Sequence, residues 1–180
     1  MFNHYYTPNI KIVQVKTLNL IKDVLQYKYT FSLDVFLEDK MGKIVTVTRS
    51  RQETEALGFE FANRVKGGQV IAMKGDLGAG KTCFTSGFAR GMGYDGEVNS
   101  PTFAIVNEYL GGRLDVYHFD MYRVSGWEDL YTTGYFDYLE AGGVLIIEWS
   151  ENIASALPED VITVTIENLS ENERRITIED

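Results

Sequence analysis

Short apolar runs separated by glycine-rich and polar breaks divide this chain, and the runs follow two different periods. Ile44-Val45-Thr46-Val47 reads as a strand. Ser50-Arg51-Gln52-Glu53 matches a capping box, with Ser50 as N-cap and Glu53 returning to the Ser50 N–H. Residues 54–65 then predict a helix with Leu57, Phe61 and Val65 on one face, ended by Gly67-Gly68. Val70-Ile71-Ala72-Met73 is apolar without alternation, the pattern of a parallel strand covered on both faces. After Gly80, helical spacing returns at Phe84, Phe88 and Gly91. Beyond a turn at 91–96, Pro101 breaks any helix. Residues 105–109 and 114–119 flank Gly111-Gly112 and predict a β-hairpin. Residues 127–139 predict a helix with Leu130, Tyr131 and Phe136 inward, which Gly134 weakens. Residues 144–147 form a second buried strand, and residues 161–166 and 175–178 predict a terminal hairpin. Upstream, residues 27–37 alternate in part and predict one more strand, in a segment without chemistry.

Composition narrows the class. A chain of 180 residues with 44% hydrophobic content has a core of ordinary size. It contains no apolar run long enough to span a bilayer, and no basic segment followed by an apolar one at its N-terminus. The single cysteine, Cys83, has no internal partner for a disulfide. These features together predict a cytoplasmic protein. The formal net charge of −9 argues against extensive direct nucleic-acid binding. It is unevenly spread. Residues 1–40 hold five Lys and four Asp or Glu, whereas residues 124–173 hold no Lys or Arg at all. That acidic stretch is either a solvated face or a docking surface for a basic partner.

Candidate chemistry centres on Gly75-Asp76-Leu77-Gly78-Ala79-Gly80-Lys81-Thr82, which fits G-x-x-x-x-G-K-[ST] in full, between an apolar strand and a helix. The glycines let the backbone approach an anion, and the N–H groups of Asp76, Leu77, Gly78, Ala79 and Gly80 then point inward at the start of a helix. Lys81 is placed to reach the β and γ phosphates, and the Thr82 hydroxyl to ligate Mg²⁺. Cys83 lies in the same helical turn and is expected in the nucleotide site; for its thiol the alternatives are a lowered pKa or plain packing. Glu148 ends the second buried strand, where ligands of parallel sheets sit, so it is expected to hold Mg²⁺ directly or through water. Asp120 ends another strand and can orient water, contact metal or accept a proton; its structural alternative is an ion pair with Arg123. His118 shares the strand face of Asp120 and reads as structural. Ser100 and Thr102 lie where a switch loop would sense the γ-phosphate. Trp149 stacks on nucleotide or partner, or joins the core.

The expected fold is therefore α/β. It is a P-loop NTPase-like three-layer fold with a central, mostly parallel sheet and added antiparallel hairpins, spanning 41–180 after an N-terminal extension at 1–40. A start at Met41 would leave every motif intact. The guanine-reading Asn-Lys-x-Asp pattern is absent, which favours ATP over GTP. A small-molecule or nucleotide kinase is the main rival. Such enzymes close an Arg-rich lid over the phosphates, and the Lys- and Arg-free run at 124–173 removes the place for a late lid.

The phosphate loop, Ser-Pro-Thr-Phe at 100–103, His-Phe-Asp-Met-Tyr-Arg at 118–123 and Glu-Trp at 148–149 occur in that order. The combination resembles the bacterial TsaE family, the ATPase component of tRNA threonylcarbamoyladenosine modification, from about Ile44 to the C-terminus. The resemblance implies a slow, partner-dependent ATPase acting on a TsaB–TsaD heterodimer, with tRNA met only indirectly. It carries Lys81 and Thr82 to the nucleotide and Mg²⁺ site. Asp120 matches the functional Asp, Glu148 the metal-associated Glu, and Trp149 an aromatic near the nucleotide. Two departures stand out. Cys83 replaces a second Thr found in many members, and Ser150 replaces a common Pro. Residues 1–40 have no counterpart in the usual family pattern.

Overall fold

A computed structural model describes Leu37–Glu38 and residues 43–180 of the chain. The elements are β1 (Leu37–Glu38), β2 (Lys43–Thr48), α1 (Arg51–Ala62), β3 (Val70–Lys74), α2 (Lys81–Gly91), β4 (Val106–Tyr109) and β5 (Val116–Asp120). There follow α3 (Trp127–Thr132), α4 (Tyr135–Glu140), β6 (Val144–Glu148), a 3₁₀ segment (Ser150–Ala156), β7 (Ile162–Asn168) and β8 (Arg174–Glu179). The strand expected at 27–37 lies outside the described residues except for Leu37.

The described strands form one sheet in the order β1-β2-β8-β7-β3-β6-β5-β4. Its centre, β7-β3-β6-β5, is parallel throughout; the outer pairs β4–β5, β7–β8, β2–β8 and β1–β2 are antiparallel. All five residues of β6 and four of the five in β3 are buried, as continuous apolar runs require of strands covered on both faces. Successive side chains divide between two layers. Ile71, Met73, Val144 and Ile146 meet Leu57, Phe61, Phe84 and Phe88 of α1 and α2. Val70, Phe119, Leu145 and Ile147 meet Leu130, Tyr135 and Ile153 on the other face. The result is the three-layer α/β fold that the pattern predicts, with a parallel core flanked by antiparallel pairs.

Local details differ from the expectation. Ser50 Oγ does accept the Glu53 N–H at 3.1 Å, but Glu53 returns to the N–H of Arg49, at 2.7 Å, not to that of Ser50. The first helix ends at Ala62, three residues early, although Val65 still packs into the core. The helix expected over 127–139 breaks at Gly134, whose φ of +75° separates α3 from α4. The break turns Tyr131 outward, 67% exposed, and puts Tyr135 in the core instead. The terminal hairpin forms, but β7 also pairs in parallel with β3. That brings the start of β8 beside the glycine loop.

Candidate active site

Between β3 and α2 the chain turns through Gly75 (φ +142°), Gly78 (φ +77°) and Gly80 (φ +113°). Gly75 is obligatory for space as well as conformation, because a Cβ there would lie 2.4 Å from the Ile166 carbonyl oxygen. Gly80 caps α2 without any side-chain hydrogen bond, so the first N–H groups of the helix meet no capping side chain. Such an end suits an anion. Leu77 is 88% exposed, which leaves only its backbone to serve the site.

Lys81 runs back under this loop. Its buried Nζ donates to the carbonyls of Gly75 (2.8 Å) and Asp76 (3.1 Å). It lies 3.9 Å from Glu148 Oε2 and 5.0 Å from the centre of the Trp149 ring. Thr82 Oγ1 donates to Glu148 Oε1 at 3.1 Å. Two hard oxygen donors therefore stand side by side next to the phosphate cradle, as a Mg²⁺ site shared with phosphate oxygens needs. Among the described residues no cluster of three or more His, Cys, Asp or Glu forms a protein-only metal cage, and Mg²⁺ bound with a nucleotide needs none. The residues present fit the ion.

Glu148 is buried, and burial alone would raise its pKa. The hydrogen bond and charge of His118, the Lys81 ammonium and the Thr82 hydroxyl outweigh that penalty and hold the carboxyl below its ordinary range. His118 Nε2 lies 2.9 Å from Glu148 Oε1. The histidine read as structural is thus a direct partner of the carboxylate.

Asp120 is registered with Glu148 on the adjacent strand. Its partners are Thr102 Oγ1 at 2.8 Å and the Tyr122 N–H at 3.0 Å, not Arg123. The Arg123 guanidinium instead lies 5.5 Å from the Phe103 ring centre. Ser100 and Thr102 share a hydrogen bond of 2.8 Å, so the segment expected to act as a switch touches Asp120 directly. Trp149 packs against Tyr122, with ring centres 5.1 Å apart, and its own backbone is left-handed at φ +58°. Strain of that kind in a non-glycine residue costs of order 1 kcal/mol and gathers at functional sites.

Cys83 is tied to the start of α1. Its thiol donates to the Arg51 carbonyl at 3.3 Å, and burial, with Glu55 nearby, pushes its pKa up to about 11. The lowered pKa allowed by its place at a helix start is overturned: desolvation beats the helix end here.

A cavity of about 450 Å³ opens beside the loop, lined by Gly80, Thr82 and Cys83 together with Arg51, Asn99 and Arg174. Its size suits a nucleotide. Arg174 Nε also donates to the Ala79 carbonyl at 3.0 Å and so braces the loop from β8. Sequence reasoning missed Arg51 and Arg174. Arg51 hid inside a helix cap, and Arg174 is 95 residues from its partner.

The family model described as "Threonylcarbamoyl adenosine biosynthesis protein TsaE" matches residues 48–176. A Treponema pallidum protein named tRNA threonylcarbamoyladenosine biosynthesis protein TsaE is 40% identical over 132 residues, covering 73% of this chain and 97% of that one. A Bacillus subtilis protein of the same name is 43% identical over 131 residues, covering 72% and 81%. The crystal structure of Bacillus subtilis YdiB superposes with a TM-score of 0.64 at 36% identity, over 76% of this chain and 84% of that one.

Proposed function

Because the chain belongs to the TsaE family, we propose that it binds ATP with Mg²⁺, hydrolyses it slowly, and thereby supports threonylcarbamoyladenosine modification of tRNA by acting on a TsaB–TsaD pair. One observation carries this reading: the Thr82 hydroxyl, the Glu148 carboxylate and the Lys81 ammonium converge at a glycine loop that opens a helix. In the proposal, the loop N–H groups and α2 hold the phosphates, and Lys81 moves from the Gly75 and Asp76 carbonyls to the β and γ oxygens. Thr82 and Glu148 hold the ion. When bound, Mg²⁺ would neutralise negative charge on the phosphates. Asp120, kept in place by Thr102 and the Tyr122 N–H, orients the attacking water. Trp149 backs Lys81 and lies beside the nucleotide.

The formal net charge of −9 supports an indirect relation to tRNA. Among the described residues no helix is long and apolar enough to cross a membrane; cytoplasmic action beside the tRNA-modifying partners is part of the same proposal. The test couples a nucleotide titration to a pull-down with purified TsaB and TsaD. Wild type is expected to bind ATP and retain the pair. Lys81→Ala is expected to lose nucleotide binding. Undiminished ATP affinity in Lys81→Ala, or no capture of the pair with or without nucleotide, contradicts the proposal.

A further inference from the structure

His118 is completely buried on β5, yet both of its ring nitrogens have polar neighbours. Nε2 lies 2.9 Å from Glu148 Oε1, and Nδ1 lies 3.2 Å from the Tyr109 hydroxyl on β4. Tyr109, 3% exposed, in turn donates to the Asn99 carbonyl at 2.9 Å. Asn107 Nδ2 donates to that same carbonyl at 3.0 Å. A hydrogen-bonded path therefore runs from Glu148 through His118 and Tyr109 to Asn99. One residue on, Ser100 binds Thr102, and Thr102 donates to Asp120. Both carboxylates of the site end on one short segment, residues 99–102.

We propose that His118 and Tyr109 are positioning residues: they fix the Glu148 carboxylate and tie it to segment 99–102, so that the segment's placement sets Glu148 and Asp120 together. The proposal rests on the Mg²⁺-dependent reading of the site. An apolar side chain at 118 would fill the same strand face without desolvating an imidazole, so the buried polar path is retained at a cost that packing does not explain. Carboxylates that hold metal ions are commonly oriented by partners of this kind. Tyr109 touches neither Glu148 nor the glycine loop, which makes it the discriminating position.

The experiment compares wild type, Tyr109→Phe, His118→Ala and the double variant in two assays. The first is the Mg²⁺ concentration giving half-maximal ATP hydrolysis. The second is hydrogen exchange at the Asn99, Ser100 and Thr102 amides in nucleotide-free protein. His118→Ala is expected to raise the Mg²⁺ requirement by about tenfold or more, and Tyr109→Phe by a smaller factor in the same direction. In the His118→Ala background, Tyr109→Phe is expected to add nothing to the Mg²⁺ requirement, because both act on Glu148 along one path. Tyr109→Phe is also expected to speed exchange at the three amides. If His118→Ala does not fold, Tyr109→Phe alone decides through both assays. A Tyr109→Phe protein indistinguishable from wild type, or one whose full effect on the Mg²⁺ requirement persists without His118, overturns the positioning role and leaves the ATPase reading intact. A wild type without Mg²⁺-dependent hydrolysis overturns that reading and this proposal with it.

Discussion

At the scale of single residues, Glu148 is the group on which the site turns. Its folded pKa is depressed, since His118, Lys81 and Thr82 together outweigh burial. A depressed carboxyl contributes stability that is fully present above its unfolded pKa, roughly 4.3, and is lost as pH falls through the lower folded value. Wild type is therefore expected to lose stability below about pH 4.5 more steeply than Glu148→Gln, read as urea midpoints between pH 3 and 7. Parallel curves contradict the assignment. Ser150 is completely buried, and its hydroxyl has no hydrogen-bond partner among the described residues. Leaving such a group unsatisfied costs about 1–3 kcal/mol, so Ser150→Ala is expected to raise thermal stability, or at least not lower it. A clear loss in melting temperature would mean that the hydroxyl has a partner. The glycine loop and Glu148 were legible in the sequence because strand, loop and helix are contiguous, and because a strand-end acid needs only its own strand to be recognised. His118 was not legible as a partner of Glu148. That contact exists only once β5 lies against β6 in the register His118↔Ile146 and Asp120↔Glu148, and no local pattern encodes strand order.

At the scale of elements, the pairing of α1 with α2 holds the nucleotide helix in place. Phe61 packs against Phe84 and Phe88 with ring centres 6.0 and 6.1 Å apart. The helices approach so closely that a Cβ on Gly87 would sit 1.8 Å from the Glu55 carbonyl oxygen. Backbone, unlike a flexible side chain, cannot give way there. Gly87→Ala is expected to destabilise the protein by about 3 kcal/mol and to weaken ATP binding, since α2 begins with Lys81 and Thr82. Denaturant unfolding and nucleotide titration check both effects; wild-type values would show that the helices separate freely. The helical spacing of Phe84 and Phe88 made α2 readable. The closeness of the crossing was not readable, because Gly87 looks like a weak helix residue until its neighbour is known. The split of α3 from α4 is another case: Gly134 weakened the expected helix without showing that it would break, and the core positions on either side shifted because the helix phase restarts there.

At the scale of the whole molecule, strand order converts separate motifs into one site. β3, β6 and β5 are neighbours, so the glycine loop, Glu148 and Asp120 emerge at the same edge. The insertion of β7 beside β3 carries Arg174 to the loop from near the C-terminus. The fold class was legible from two doubly buried strands and the alternation of element types; the position of β7 was not, because a terminal hairpin has the same local pattern at the centre of a sheet or at its edge. The Lys- and Arg-free stretch at 124–173 extends over α3, α4, β6 and β7. A partner that completes the site is consistent with this. The function proposed is a Mg²⁺-dependent, partner-assisted ATPase built on Lys81, Thr82 and Glu148. The most direct measurement is the rate of phosphate release from ATP by wild type and Glu148→Gln, alone and with the TsaB–TsaD pair. The account predicts slow release by wild type alone, faster release with the pair, and a loss of about 100-fold or more in Glu148→Gln, with ATP still bound. Equal rates in wild type and Glu148→Gln, or transfer of phosphate to a small-molecule acceptor in place of water, would contradict it.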